Sequence, residues 1–126
     1  MPSQSTVRTL AKMIGLSRAA IGVATLASPA ALRPWAGDVV DEPGGALAAR
    51  VFGARDAALG LGVYLSARRG APLKTWLRLS GACDVADLAA TGAAGTDGLG
   101  PMAAPTMGLA AAGAIGSFTL AAWSDA

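Results

Sequence analysis

The sequence predicts an all-α protein: an integral membrane up-down four-helix bundle with its N and C termini in the cytoplasm. Four apolar stretches each approach the length of about 20 residues that a helix needs to cross the hydrocarbon core of a bilayer. Charged residues make up only 14% of the 126 residues, against about 25% in soluble domains. Basic residues also concentrate in segments that such a bundle places on one side of the membrane.

The chain forms a single domain, residues 1–126, whose predicted helices cover about 7–28, 45–67, 72–93 and 101–123. Pro29 ends the first helix. Pro72 and Pro101 stand at the start of the third and fourth, where a helix tolerates a missing backbone N–H. The short connections at 68–71 and 95–100 indicate that neighbouring helices run antiparallel.

The distribution of basic residues predicts the orientation. Five of them lie in the N-terminal segment and around the second connection, namely Arg8, Lys12, Arg68, Arg69 and Lys74. The first connection carries Arg33 among acidic residues, and the third carries only Asp97. Because cytoplasmic segments are enriched in Lys and Arg, both termini and the second connection are predicted to be cytoplasmic. The Ala-, Gly- and Arg-rich composition indicates a GC-rich bacterial genome, so the predicted location is the bacterial plasma membrane, crossed several times.

Two other organisations compete with this prediction. A soluble Ala-rich four-helix bundle would turn the embedded charges towards water. However, the fourth stretch has no charged residue between Gly98 and Ser124 and therefore offers no polar face. A cleaved signal peptide would explain the basic start and the small residues that end the first stretch, but Arg18 interrupts its apolar run. Both observations favour the membrane bundle.

Composition excludes several classes of function. A net charge of +2 and 5% aromatic residues argue against a nucleic-acid partner. The chain has no histidine and one cysteine, Cys83, so it lacks the ligands of common zinc and haem sites and the base of a Ser-His-Asp triad. A single carboxylate pair, Asp84 and Asp87, is a weak signal of a magnesium site, and both aspartates have arginine partners at matching depth. We therefore predict no metal and no cofactor.

Seven charged residues fall inside the predicted spans: Arg18, Arg50, Arg55, Asp56, Arg78, Asp84 and Asp87. Each costs about 2.5–3.5 kcal/mol near the middle of a bilayer on insertion scales. Such residues persist when they are paired and face the interior of the bundle. We therefore expect them to meet as ion pairs between neighbouring helices.

Depth in the membrane predicts which residues pair, because residues at equal depth on antiparallel neighbours have a constant sum of residue numbers. This rule predicts three ion pairs: Arg55 with Asp84, Arg50 with Asp87, and Arg18 with Asp56. Arg78 is left over, and its long side chain is expected to reach the cytoplasmic interface. The six paired residues are predicted to form structural pairs or a ligand site, and the candidates for a catalytic role are Asp84, Asp56, Arg55 and Arg18.

Small residues recur at every fourth position in two of the predicted helices. The second helix carries Ala49, Gly53 and Ala57, and the fourth carries Gly108, Ala112 and Gly116. This spacing lets two helix backbones approach closely. We expect both sets to pack within the bundle, with a homodimer face on the fourth helix as the alternative.

A family resemblance rests on the run RVFGARDAALGLG at residues 50–62 and on a set of single residues elsewhere in the chain. These residues are Gly15, Arg18, Gly22, Pro29, Trp76, Arg78, Asp84 and Asp87. In these positions the chain resembles small four-helix bacterial membrane proteins, in particular the domain of unknown function 4267 family. The resemblance covers about residues 15–117. It implies a multi-pass membrane protein and supplies no activity.

Two functions follow from these observations. The first is a structural or accessory membrane component, as a homo-oligomer or as part of a larger complex in the lipid bilayer, because the charges balance and catalytic residue types are few. The alternative is a membrane-embedded enzyme or carrier for a lipophilic small molecule. In that case an aspartate acts as acid or base and an arginine holds an anionic or carbonyl group. Tyr64 would line the cytoplasmic end of the pocket, or else serve as an interfacial anchor.

Overall fold

The computed structural model describes residues 1–70, 72–94 and 103–124, and these ranges contain helices and turns but no strand. The all-α prediction is confirmed. In chain order the α-helices are α1 Gln4–Ala27, α2 Arg33–Ala36, α3 Pro43–Arg69, α4 Leu73–Ala94 and α5 Ala103–Trp123. The four predicted helices correspond to α1, α3, α4 and α5. Three predicted features lie outside the described residues: position 71 of the second connection, the connection 95–100, and the helix start at Pro101.

Local capping explains where α1 and α3 begin and end. The Ser3 hydroxyl accepts a hydrogen bond from the Thr6 backbone N–H at 3.2 Å, so α1 starts before the predicted position. α1 ends ahead of Pro29, which disfavours a helical conformation in the residue before it. α3 ends at Gly70, which has a positive φ of 71° and donates its N–H to the Ser66 carbonyl at 3.0 Å.

The connection between α1 and α3 is built from short helical segments. It consists of two 3₁₀ segments, Pro29–Leu32 and Gly37–Asp41, on either side of the single turn α2. Within the connection, Arg33 at the start of α2 forms a salt bridge with Asp41 at the end of the second 3₁₀ segment. The connection therefore forms a compact cap at one end of the molecule.

α1 and α3 run antiparallel and touch backbone to backbone at four glycines. Gly15 faces Gly60, and Gly22 faces Gly53. A Cβ atom added to Gly22 would lie 2.2 Å from the backbone nitrogen of Ala57, and one added to Gly60 would lie 2.4 Å from that of Ala19. Only glycine permits such an approach. The small residues predicted on the second helix therefore do pack within the fold.

The small residues of α5 behave differently. A Cβ atom added to Gly108 or Gly116 would meet no atom within 4 Å, so these positions face open space. The expectation that the Gly108, Ala112 and Gly116 set packs within the bundle is therefore wrong. α5 instead meets α4 through other residues, because the Phe118 ring lies against Gly81 and the Asp84 carboxylate lies against Gly113.

The hydrophobic core is concentrated at one end of the bundle. It combines the start of α1 and of α4 with the end of α3 and of α5, through Val7, Ala11, Val63, Ala67, Leu73, Leu77, Leu120 and Ala121. At the same end the Gln4 side-chain amide donates to the Trp123 carbonyl at 2.8 Å. The five basic residues identified in the sequence also belong to this end.

Two described helices are long and apolar enough to cross a membrane, namely α1 and the part of α5 that covers 104–123. α3 and α4 are long enough to cross a membrane, but the charged residues along each of them keep them from counting as candidate spans. All four nevertheless expose large apolar side chains, including Leu16, Val51, Leu61, Leu79, Val85 and Ile115. The outer surface of the helices is therefore apolar along much of their length.

Candidate functional site

Five charged side chains from three helices form one continuous network at mid-length of the bundle, hereafter the charge network: Arg18, Arg55, Asp56, Asp84 and Asp87. Arg18 of α1 reaches both other helices. Its Nη1 donates to Asp84 Oδ2 at 3.1 Å, and its Nη2 donates to Asp84 Oδ1 at 2.8 Å. The same Nη2 donates to Asp56 Oδ1 at 3.0 Å. Arg18 therefore binds Asp84 through two parallel hydrogen bonds and Asp56 through one.

Arg55 of α3 forms the second half of the charge network. Its Nη1 and Nη2 donate to the two oxygens of Asp87, each at 2.7 Å. Its Nε and Nη2 also lie 3.4 and 3.2 Å from Asp56 Oδ1. The Phe52 ring lies beneath the guanidinium, 4.8 Å from Cζ to the ring centroid. Asp56 Oδ1 is thus the acceptor that both arginines share.

The partners differ from two of the three predicted pairs. The structure contains the Arg18–Asp56 pair, but Arg55 binds Asp87 and not Asp84. Arg50 is exposed and forms no ion pair within the described part of the chain, so the predicted Arg50–Asp87 pair is wrong. Equal depth is not enough for contact, since a side chain's direction turns by about 100° with each residue along a helix. Asp84 points across the bundle to α1.

The charges of the network do not balance. Three carboxylates share two guanidinium groups, so the network carries one excess negative charge when all five groups are ionised. Asp56 and Asp84 are each only 7% exposed. Asp56 Oδ2 accepts no hydrogen bond from any residue that the structure describes. One oxygen of this largely buried side chain is therefore left without a donor, although the oxygen itself is not fully buried.

A cleft of about 540 Å³ lies directly against the charge network, between α1 and α5. Arg18, Asp56, Asp84 and Asp87 line it together with mainly apolar side chains, among them Ile14, Ile21, Phe52, Leu88, Met107 and Leu109. α1 and α5 pack only slightly against each other, which leaves room for this space. The cleft is therefore apolar on most of its walls and charged at one place.

The cleft extends towards the α1–α3 connection, where Leu32, Trp35 and Ala36 line it. Tyr64 does not line it, contrary to the expectation for a ligand pocket. The Tyr64 ring instead lies 5.8 Å from Cζ of Arg68, near the opposite end of α3. Its predicted role as an interfacial anchor stays a prediction.

Sequence reasoning missed several residues of the cleft. Nothing in the sequence points to Ser17, Trp35 or Thr106 as residues that line a cleft. Thr106 Oγ1 and Arg18 Nε are both buried without a hydrogen-bond partner in the described residues. These two residues line the same cleft only because α1 packs against α3 and α5 packs against α4.

The arrangement limits the chemistry available in the cleft. Both arginines direct their hydrogen bonds at aspartates, so neither presents an uncompensated positive charge to a ligand. The oxygens of Asp84 and Asp87 accept from arginine, and the described residues hold no group of three Cys, Asp or Glu side chains suited to a metal ion. The Ser17 hydroxyl donates to the Ile14 carbonyl at 3.0 Å. Asp56 is the residue best placed to accept a proton or a hydrogen bond.

No protein-family model, no curated protein and no solved structure matches this chain. The resemblance to the domain of unknown function 4267 family therefore stays a prediction.

Proposed function

We propose that the protein is a small multi-pass protein of the bacterial plasma membrane that holds a lipophilic small molecule in the cleft between α1 and α5. One observation carries the proposal, namely an apolar cleft of about 540 Å³ beside the buried side chains of Arg18 and Asp84. Sites for small molecules are typically concave, mostly apolar and about 300–1,000 Å³ in volume, with a few polar groups that fix the ligand's orientation. The cleft has each of these properties.

Three features support the membrane part of the proposal. Two of the described helices are long and apolar enough to span a bilayer, and all four long helices expose large apolar side chains. Soluble monomers rarely expose so much apolar surface. The charged residues in the middle of α3 and α4 are paired inside the bundle, whereas Arg50 and Arg78 are exposed nearer to helix ends. A basic residue near a helix end reaches the interface by extending its side chain.

The ligand is proposed to be lipophilic because of the depth of the charge network. Arg18 and Asp56 lie near the middle of helices 24 and 27 residues long. In a bilayer this position corresponds to the hydrocarbon core, so a molecule that reaches the cleft between α1 and α5 arrives from an apolar solvent. The charge network then supplies the polar contact that orients the molecule.

A structural or accessory role is the second candidate. The observation that favours it is the charge network itself, because Arg18 ties α1 to both α3 and α4. The outward-facing Gly108 and Gly116 of α5 would suit close contact with another helix. Under this proposal the cleft is unused or is filled by acyl chains of the bilayer.

Energy transfer from Trp35 to a pyrene probe tests whether the cleft binds a small molecule, because Trp35 lines it. Trp76→Phe and Trp123→Phe leave Trp35 as the one tryptophan. The purified protein in a nonionic detergent is titrated with pyrenylmethylammonium, pyrenylmethanol and pyrenecarboxylate. We expect saturable quenching of Trp35 by at least one of the three probes.

A matched pair of variants locates the binding. Ala110 lines the cleft and Ala112, on the same helix, is exposed. We expect Ala110→Phe to weaken probe binding by about tenfold or more, which corresponds to about 1.4 kcal/mol, and Ala112→Phe to leave it unchanged. The proposal is wrong if none of the probes saturates, or if the two variants behave alike. Absence of binding in a protein that still needs Arg18 to fold would favour the structural role.

A further inference from the structure

The excess negative charge of the network identifies the class of ligand. We infer that the cleft binds a lipophilic ammonium ion whose charged nitrogen contacts Asp56 Oδ2. This inference rests on the proposed function, because it assumes that the cleft holds a small molecule. It adds the charge of that molecule and the atom that receives it.

Asp56 and the described charged side chains around it include one more carboxylate than guanidinium groups, so one negative charge has no positive partner of its own. From α1, Arg18 contacts it, and from α3, Arg55 does. From α4, Asp84 and Asp87 line the same cleft and take two hydrogen bonds each from these arginines. The part of α5 that the structure describes contributes no charged residue. Within the described residues, two positive charges therefore serve three negative ones.

Asp56 is the carboxylate with an oxygen to spare. Its Oδ1 accepts from both Arg18 and Arg55, while its Oδ2 accepts from neither. The side chain lines the cleft and is 10% exposed. A buried carboxylate without full compensation is costly in an apolar environment. A ligand cation next to Oδ2 would neutralise the network and supply the missing hydrogen-bond donor.

An anionic ligand fits the same cleft poorly. The guanidinium groups of Arg18 and Arg55 each bind an aspartate through two parallel hydrogen bonds. An anion would either have to displace one of these carboxylates or accept a hydrogen bond from the buried Arg18 Nε, and in both cases it would add negative charge to a network that already has three negative groups against two positive ones. The ammonium ligand is therefore an alternative to the expected anionic or carbonyl group held by an arginine.

The walls of the cleft suit the rest of such a molecule. Apolar side chains of α1 and α5 face each other across it, with Ile14 and Ile21 on one side and Met107 and Leu109 on the other. Trp35 lies towards the α1–α3 connection. The geometry thus offers one acidic contact and an apolar surface for a hydrocarbon or aromatic body.

The three pyrene probes test the inference because they share a hydrocarbon body and differ in charge. For the protein with Trp35 as the one tryptophan, we expect pyrenylmethylammonium to bind about tenfold or more tightly than pyrenylmethanol, and pyrenecarboxylate to bind most weakly. The preference for the ammonium probe should fall below about threefold in Asp56→Asn. Asp38→Asn removes an exposed carboxylate outside the network and should leave the preference unchanged.

The outcomes separate this inference from the proposed function. Saturable binding with equal affinity for the ammonium and alcohol probes would show that a proton supplies the missing positive charge. Tightest binding of the carboxylate probe would assign the contact to the arginines. Either result overturns the inference and keeps the ligand-binding function, whereas no saturable binding of any probe overturns both. The comparison among probes needs no substitution in the network, so it decides the question even if Asp56→Asn does not fold.

Discussion

Arg18 connects three helices that otherwise meet in pairs. Its guanidinium is largely buried, with a side chain 12% exposed, and it bonds carboxylates on α3 and α4 at once. Two parallel hydrogen bonds to Asp84 fix the direction of that side chain as well as its distance. A single arginine thus sets the rotation of α4 relative to α1, across the bundle.

Removal of Arg18 should destabilise the fold far more than removal of an exposed arginine. Arg18→Ala leaves Asp84 buried without a partner and Asp56 with Arg55 alone, so we expect a loss of about 3–5 kcal/mol in the free energy of unfolding. The measurement is unfolding in mixed micelles with increasing amounts of a denaturing detergent, followed by tryptophan fluorescence.

Arg50→Ala is the matched control, since Arg50 is exposed and has no ion pair with a described residue. We expect it to change the free energy of unfolding by less than about 0.5 kcal/mol. Equal effects of Arg18→Ala and Arg50→Ala would mean that the charge network does not hold the helices together.

The four glycines of α1 and α3 determine how closely these two helices approach. Gly15 and Gly22 are seven residues apart on α1, and Gly53 and Gly60 are seven apart on α3. This spacing returns each pair to nearly the same side of its helix after two turns. The backbones therefore meet along a continuous line, and Arg18 projects from α1 between the two contact points.

Alanine at Gly22 and alanine at Gly116 should shift stability in opposite directions. A Cβ atom at position 22 would lie 2.2 Å from a backbone atom of α3, so Gly22→Ala forces the helices apart and should cost about 1–3 kcal/mol or more. A Cβ atom at position 116 meets nothing within 4 Å. Gly116→Ala should therefore stabilise the helix by up to about 1 kcal/mol through helix propensity. The same unfolding assay measures both.

Whether Gly116→Ala raises or lowers the free energy of unfolding also shows what this face of α5 contacts. Stabilisation agrees with an α5 face that is open to lipid. Destabilisation at high protein concentration alone would indicate that a second copy packs against this face, as the homodimer alternative predicts. Destabilisation at every concentration would contradict the placement of Gly116 in the structure.

The two ends of the molecule differ in packing and in charge. The end that holds both termini of the bundle contains the hydrophobic core and the cluster of basic residues. The other end carries the α1–α3 connection, with Arg33, Asp38 and Asp41. The cleft opens between these ends and extends towards the second one.

Chemical labelling in intact bacterial cells tests the proposed orientation. After Cys83→Ser, single cysteines are introduced as Ser5→Cys at the basic end and Asp38→Cys in the α1–α3 connection, both at exposed positions. Because basic segments stay in the cytoplasm, a membrane-impermeant maleimide should label position 38 and spare position 5. Permeabilised cells should show labelling at both. Labelling of position 5 alone in intact cells would reverse the orientation, and recovery of the protein in the soluble fraction would overturn the membrane proposal.

Composition and periodicity were enough to predict four long helices and their approximate ends. They also predicted where each buried charge lies along its helix, because this position follows directly from residue number at 1.5 Å per residue. The Arg18–Asp56 pair was predicted for the same reason. Each depends mainly on distance along the helix axis.

The remaining features depend on helix rotation and on packing between helices distant in sequence. Arg55 binds Asp87 because α4 turns Asp84 towards α1, and residue numbers do not encode that angle. The outward direction of Gly116 has the same origin. The cleft exists because α5 packs on α4 and leaves a gap next to α1. Such a gap is a property of the assembled helices, whereas the lengths, depths and charges that surround it are properties of the chain.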